Sequence, residues 1–131
     1  MIALVQEKGV GAIADAMLPK LLGATSQAEQ PELADVLRRL IMQNTPEAVA
    51  SAVRTIKFRE DATTWLSSIA CPTLVICGVE DVLTPPSESE AMAKAIPQSD
   101  LVLLPRAGHL SNLEAPMAFT EALGRFLGRI S

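Results

Sequence analysis

Residues 71–85, CPTLVICGVEDVLTP, contain the clearest strand signal in the chain. The run from Pro72 to Gly78 is short, apolar and rich in β-branched side chains, and it is bounded by a proline and a glycine. This pattern is typical of a strand that is buried on both faces of a parallel sheet. A second run of the same kind extends from Asp100 to Pro105. We therefore predict two neighbouring buried strands in this part of the chain.

Helical signals follow each of the two predicted strands. Ser87 and Glu90 have the spacing of a capping box, which predicts a helix that ends near Ile96. Pro116 stands where a helix favours its first residue. Strand, helix, strand and helix in this order predict an α/β fold with a right-handed parallel βαβα unit over residues 69–131. The apolar positions of the last helix recur at helical spacing: Phe119, Leu123, Phe126, Leu127 and Ile130.

Residues 1–68 show helical periodicity without strand alternation. Pro19 is expected to kink or restart the first helix, and residues 23–30 are expected to form a polar loop. Pro31 is expected at the first turn of a helix, and Thr45 is expected to cap a later helix through its side chain. Apolar stripes at helical spacing support these helices: Ile13, Met17, Leu18 and Leu21; Leu33, Val36, Leu37, Leu40 and Ile41; Val49, Val53 and Ile56.

The composition indicates a globular protein and excludes several classes of partner. The chain has 131 residues, of which 49% are hydrophobic and 20% charged, and its net charge is −4. An acidic chain without a basic run is a poor ligand for nucleic acid or for an anionic membrane, and we expect neither partner. Since the first residues lack the basic start and long apolar region of a signal peptide, a cytoplasmic location is the default expectation.

Two cysteines and a single histidine limit the redox and metal chemistry of the chain. Cys71 and Cys77 stand at the two ends of the first predicted strand, roughly 20 Å apart at about 3.3 Å per residue. A disulfide requires Cα atoms within about 7 Å, so we expect both thiols to be reduced and buried as packing residues. With one histidine and this cysteine spacing, a structural metal site is not expected.

Asp81 and His109 each follow one of the two predicted strands. The carboxyl ends of neighbouring parallel strands lie at the same edge of a sheet, where ligands and catalytic groups gather. A carboxylate beside an imidazole orients the ring and stabilises its protonated form. The positions therefore suggest part of an acid–base system, and the alternative is a surface histidine with an aspartate that caps a turn.

Two motifs in this region resemble the C-terminal part of the α/β-hydrolase family. The stretch 71–85 is similar to the strand and loop that carry the family's catalytic acid. The stretch 104–116, with the pattern Leu-Pro-x-Ala-Gly-His-Leu-Ser-Asn-Leu-Glu-x-Pro, resembles its catalytic histidine loop and the start of its final helix. By this resemblance Asp81 is the catalytic acid and His109 the base, and no cofactor is implied.

Residues 1–68 resemble the helical cap domain of the same family, and residues 69–131 resemble the C-terminal part of its core. The likeness is to the branch that contains enol-lactonase-like, haloperoxidase-like and small carboxylesterase enzymes, and it is carried by the segment 14–23. In an intact hydrolase a substrate pocket between cap and core is expected, and ordinary core packing is the alternative for its residues. The expected pocket residues are Met17, Leu18, Leu22, Trp65, Leu83 and Leu110.

The family's serine nucleophile, which stands on a G-x-S-x-G elbow next to an oxyanion hole, has no counterpart in this sequence. None of the serines has glycine at both motif positions. Cys77 is interpreted as a packing residue. Ser111 is interpreted as a cap of the following turn, with Glu114 at capping-box spacing.

The resemblance implies the C-terminal part of a serine-type α/β hydrolase that acts on a small ester, lactone or similar acyl substrate and is inactive without the rest of the fold. A C–C hydrolase or a cofactor-free haloperoxidase-like enzyme is the alternative within the family, and a non-catalytic interaction module is the alternative outside it. Because two parallel strands leave an unpaired edge, we also expect a homo-oligomer, with exchange of elements between copies as one route.

Overall fold

The computed structural model describes residues 1–130 and divides them into a helical part and a part that contains a sheet. The helical part comprises α1 (Ile2–Leu21), α2 (Ala24–Glu29), α3 (Pro31–Met42), α4 (Pro46–Lys57) and a 3₁₀ helix (Thr63–Ser68). The second part comprises β1 (Thr73–Gly78), α5 (Pro86–Ala95), β2 (Ser99–Leu104), α6 (Ser111–Glu114) and α7 (Pro116–Ile130).

The two strands form a parallel sheet, as the sequence predicts. Thr73 is opposite Ser99 at one end of the pairing, and Gly78 is opposite Leu104 at the other. Helix α5 connects the strands, and α5 and α7 both pack against the sheet. The predicted parallel unit of strand, helix, strand and helix is therefore confirmed, with the short helix α6 added before the last helix.

The core of the helical part lies where α1 packs against α3 and α4. Its buried side chains come from α1 and from Ala50 on α4. Val10 and Ile13 of α1 are three positions apart, which places both on the same face of a helix. The members of this core cluster are Val5, Val10, Ile13 and Ala50, with Met17, Ile41 and Val49 packed against it.

Three local predictions for the helical part have different outcomes. The break in α1 falls at Gly9, whose φ of 75° suits glycine, and Pro19 lies inside the helix without ending it. The predicted loop over residues 23–30 is wrong, since it contains the short helix α2. The predicted cap of α4 is confirmed, because the Ala48 N–H donates to Thr45 Oγ1 at 3.2 Å.

The second part also departs from the sequence-based interpretation at its caps and at one cysteine. Helix α5 begins at Pro86, and the capping box predicted from Ser87 and Glu90 is wrong, because no side chain caps this helix. Ser111 does not cap α6 either. Cys77 is buried as expected, whereas Cys71 is exposed because it precedes the strand.

Helical spacing predicts the helices correctly, but several apolar side chains on them are exposed. On α3, Leu37 is buried, while Val36 and Leu40 are 40% and 49% exposed. On α7, Phe126 is buried, while Leu123 is 38% exposed. No helix within residues 1–130 is both long and apolar enough to cross a membrane.

The end of β1 lies very close to the backbone that follows β2. A Cβ atom on Gly78 would be 2.2 Å from both the Ala107 and the Gly108 carbonyl oxygens. Only glycine fits this position, because the obstacle is backbone and not the end of a flexible side chain. Gly78 therefore lets the chain after β1 run directly beside the chain after β2.

We expect Gly78→Ala to lower the free energy of unfolding by at least about 1–3 kcal/mol, because the added methyl group forces the two backbones apart. Gly124→Ala is the matched control, since a Cβ on Gly124 in α7 meets nothing within 4 Å. The control should raise stability by about 0.5–1 kcal/mol through helix propensity. Urea denaturation of both variants is the measurement, and equal stabilities would contradict the close approach at Gly78.

Candidate active site

The candidate active site lies where the chain leaves the carboxyl ends of β1 and β2. Two hydrogen bonds continue the strand pairing into the loops. The Val79 N–H donates to the Leu104 carbonyl at 2.9 Å, and the Glu80 N–H donates to the Ala107 carbonyl at 2.8 Å. The residues that follow these positions are therefore brought to the same edge of the sheet.

Asp81 and His109 meet at this edge, as the sequence predicts. His109 Nδ1 is 2.9 Å from Asp81 Oδ2, although the two residues are 28 positions apart in the chain. The Asp81 side chain is 5% exposed, and the His109 side chain is 34% exposed. The carboxylate is therefore enclosed by protein, while the imidazole lies partly at the surface.

Local hydrogen bonds hold Asp81 in its charged form. Oδ1 accepts the backbone N–H groups of Leu83 at 2.8 Å and Thr84 at 3.0 Å, and Oδ2 accepts the Thr84 hydroxyl at 2.7 Å. Burial raises the pKa of Asp81, but the bonds from Thr84, His109 and Leu83 outweigh it and hold the pKa below its usual value. The site thus contains a buried carboxylate that is ionised at neutral pH.

Asp81 and Thr84 together determine which nitrogen of His109 carries the proton. Thr84 Oγ1 lies 2.7 Å from Asp81 Oδ2 and 3.3 Å from His109 Nδ1. An ionised carboxylate has no proton to give, so the Thr84 hydroxyl donates to Asp81 and can only accept from the imidazole. Nδ1 faces two acceptors and therefore carries the hydrogen, which leaves the lone pair on Nε2. This geometry is that of a general base with an oriented ring.

The sequence-based interpretation gave Thr84 no role, although a signal for it is present. A serine or threonine hydroxyl three residues after an aspartate can close a turn with it. The segment Asp81-Val-Leu-Thr84 has this spacing. The hydrogen bond from the Thr84 hydroxyl holds the Asp81 carboxylate in the position from which it contacts His109.

An open groove of about 900 Å³ lies beside the pair. Asp81, His109 and Leu83 line the groove together with Ile56 and Leu66 from the helical part. Of the six predicted pocket residues only Leu83 lines it.

The other five predicted pocket residues lie outside this groove, and their place in the pocket of an intact hydrolase stays a prediction. Met17 packs against the α1 core cluster, and Leu22 is buried at 2% exposure. Trp65 is 65% exposed and lies outside the lining of the groove, as do Leu18 and Leu110. The periodicity gave the apolar face of each helix but not the element that the face packs against.

We expect the stability of Asp81→Asn to differ from that of the wild type in a pH-dependent way. The usual pKa is 3.8 and the folded value is lower, so the ionised carboxylate stabilises the folded state above about pH 4. This contribution is lost as the pH falls through the folded pKa. The variant should therefore be less stable at pH 7, and the gap should narrow below pH 3.8.

Urea denaturation between pH 7 and pH 3 measures this gap. Asp35→Asn is the control for removing one carboxylate, because Asp35 is exposed on α3. A constant gap for Asp81→Asn over the whole range would contradict the depressed pKa of Asp81.

Comparison with known proteins places this arrangement in a family. The family model for the alpha/beta hydrolase fold matches residues 15–116. The chain is 29% identical over 128 residues to 3-oxoadipate enol-lactonase 2 of Acinetobacter baylyi, which covers 98% of this chain and 47% of that protein.

Two solved structures are similar over nearly the whole chain. The thermophilic esterase from Thermogutta terrifontis is 39% identical with a TM-score of 0.93, and the match covers 98% of this chain and 47% of the esterase. The enol-lactonase from Burkholderia xenovorans LB400 is 30% identical with a TM-score of 0.88, over 97% of this chain and 48% of that one. The chain thus spans about half the length of these relatives. It belongs to the α/β-hydrolase family.

Proposed function

We propose that this chain is the C-terminal part of a serine-type α/β hydrolase that acts on a small ester, lactone or similar acyl substrate. In this proposal residues 1–68 form the cap and residues 69–131 complete the core. The observation that carries the proposal is the 2.9 Å contact between His109 Nδ1 and Asp81 Oδ2, which makes Nε2 the basic nitrogen. The similarity to an esterase and to enol-lactonases supports the substrate class.

The proposed chemistry uses His109 as the proton carrier. A serine hydroxyl from the part of the fold outside this chain gives its proton to Nε2 and attacks the acyl carbon. The imidazolium then returns the proton to the leaving group, and a water molecule releases the acyl group by the same route. Asp81 stays ionised throughout and stabilises the imidazolium through Oδ2. Leu83 lines the groove next to the pair and contributes apolar contact to the substrate.

The nucleophile has to come from outside this chain. No serine in the sequence stands in a G-x-S-x-G elbow. Ser111 lines the groove but is buried at the start of α6, and Cys77 is buried with its thiol directed to backbone carbonyls. We therefore propose that the chain alone has no hydrolase turnover, since a base without a nucleophile and oxyanion hole contributes little.

A chimera tests the proposed function. The N-terminal part of the Thermogutta terrifontis esterase that this chain does not match is joined ahead of Met1, and p-nitrophenyl acetate hydrolysis is measured. We expect turnover from the chimera and none above free imidazole from the chain alone. His109→Ala in the chimera should lower kcat on the order of 10⁴-fold or more.

Glu121→Gln is the matched control in the chimera, because Glu121 forms an exposed pair with Arg125 on α7. It should keep full turnover. Turnover that survives His109→Ala, or a folded chimera without turnover, would contradict the proposal. So would turnover of the unfused chain that disappears in His109→Ala.

Self-association of the isolated chain is the second part of the proposal. Within residues 1–130, β1 pairs only with β2, and a two-stranded sheet has little stability of its own. Large apolar side chains are exposed, including Ile56 at 68% and Phe58 at 72%. A second copy that covers both the edge of β1 and these apolar side chains would bury both features.

A cytoplasmic location stays a prediction from the sequence.

We expect light scattering across a dilution series to show a homo-oligomer, most simply a two-fold dimer. An interface of this kind buries about 2,000 Å² or more. A monodisperse monomer at all concentrations, with the native fold by circular dichroism, would contradict this part of the proposal.

A further inference from the structure

A short segment between α1 and α2 is bound to both loops of the candidate active site. We call this segment, Leu21–Thr25, the junction. The Gly23 N–H donates to Glu114 Oε2 at 2.7 Å. The Thr25 N–H donates to Glu80 Oε2 at 2.8 Å, and the Thr25 hydroxyl donates to Glu80 Oε1 at 2.5 Å. Two carboxylates of the sheet-containing part thus accept three donors from the helical part.

The carboxylate of Glu114 joins the junction to the residue after His109. Its second oxygen, Oε1, accepts the Leu110 N–H at 3.1 Å, and the same N–H lies 3.3 Å from the Leu21 carbonyl. Glu114 is 4% exposed, and a buried carboxylate is costly unless donors satisfy it. Since one donor comes from the junction and one from the histidine loop, removal of either leaves a buried oxygen unpaired.

Paired glycines bring the junction against the residue before His109. A Cβ on Gly23 would lie 2.6 Å from Glu80 Oε2 and 2.9 Å from the Gly108 nitrogen. A Cβ on Gly108 would lie 2.3 Å from the Gly23 nitrogen. Neither glycine has a positive φ, so space and not backbone conformation requires glycine here. The two backbones are in direct contact.

The residues held by the junction are the chain neighbours of the catalytic candidates. Glu80 precedes Asp81, while Gly108 and Leu110 flank His109. The imidazole is partly exposed, and its hydrogen-bond partners in the described structure are Asp81 and Thr84. The orientation of the ring therefore depends on the backbone on both sides of it, which the junction fixes.

We propose that the junction is a positioning element, in which Gly23 and Glu114 hold the His109 imidazole on Asp81. The inference rests on the proposed function of this pair and assigns part of the base's orientation to the helical segment. Gly23 and Glu114 are positioning residues, because they act through the backbone of the histidine loop.

The single histidine of the chain allows a direct test by ¹⁵N NMR, because its imidazole signals need no assignment. The ratio of the Nδ1–H to the Nε2–H tautomer is measured at a pH where the ring is neutral. We expect the Nδ1–H form to dominate in the wild type. Gly23→Ala should lower the tautomer equilibrium constant roughly tenfold, while Gly124→Ala should leave it unchanged.

Circular dichroism and urea denaturation establish that each variant is folded under the conditions of the NMR measurement. A folded Gly23→Ala with the wild-type tautomer ratio would overturn the inference, because the junction would then contribute stability only. If Gly23→Ala does not fold, Glu114→Gln decides. It keeps the side-chain shape and replaces one of the two acceptor oxygens, so that the Gly23 or the Leu110 N–H loses its partner. It should lower the ratio by a smaller factor, and an unchanged ratio in the folded variant overturns the inference.

The tautomer ratio of the wild type distinguishes a failure of this inference from a failure of the proposed function. A wild-type ring without the Nδ1–H preference, or one whose tautomer ratio is unchanged in Asp81→Asn, would contradict the Asp81–His109 pair itself. A wild-type preference that depends on Asp81 but not on Gly23 would contradict only the role of the junction.

Discussion

Parallel pairing of β1 with β2 is the constraint on which the rest of the structure depends. The pairing ends with Gly78 opposite Leu104, and backbone hydrogen bonds continue it to Glu80 and Ala107. A shift of one residue would turn every side chain of a strand to the opposite face of the sheet. The register therefore brings together two loops that are far apart in sequence. Backbone hydrogen bonds alone achieve this, without any side-chain contact.

The second requirement is a buried carboxylate that keeps its charge. Asp81 has four hydrogen-bond donors, of which two are backbone N–H groups, and this solvation by protein replaces water. The donors are already in position in the structure, so a proton transfer to His109 would require little reorganisation around the carboxylate. Such preorganised electrostatics is a general source of rate acceleration in enzymes.

The sequence predicts the features that depend on local rules and on strand order. The two parallel strands, the first residues of α3 and α7, and the meeting of Asp81 with His109 all follow from such rules. The tertiary role of Glu114 does not, because its partner Gly23 is 91 positions away and nothing local to either residue indicates the other.

The apolar faces of the helices show a different limit of the sequence. Helical periodicity correctly predicts a helix around Met17 and places Met17 on its apolar face. It does not indicate which other helix or strand packs against that face. Cys71 illustrates the same point at a strand end, since Cys71 and Pro72 are exposed before β1 begins and the first buried residue of the strand is Cys77. The periodicity of apolar residues is a local property of the sequence, whereas the packing partner of a helix face depends on the whole fold.

The contact between Gly23 and Gly108 also bears on how such a protein can be recombined with its relatives. An exchange of the whole helical part would separate Gly23 from its partner glycine and from the carboxylate of Glu114. An exchange that begins at Pro31 and ends before Thr73 keeps both contacts, provided that the side chains of the new helices at positions 41, 49 and 50 fit against α1. The unit that can be transplanted is therefore smaller than the helical part, and the end of α1 is inherited with the histidine loop.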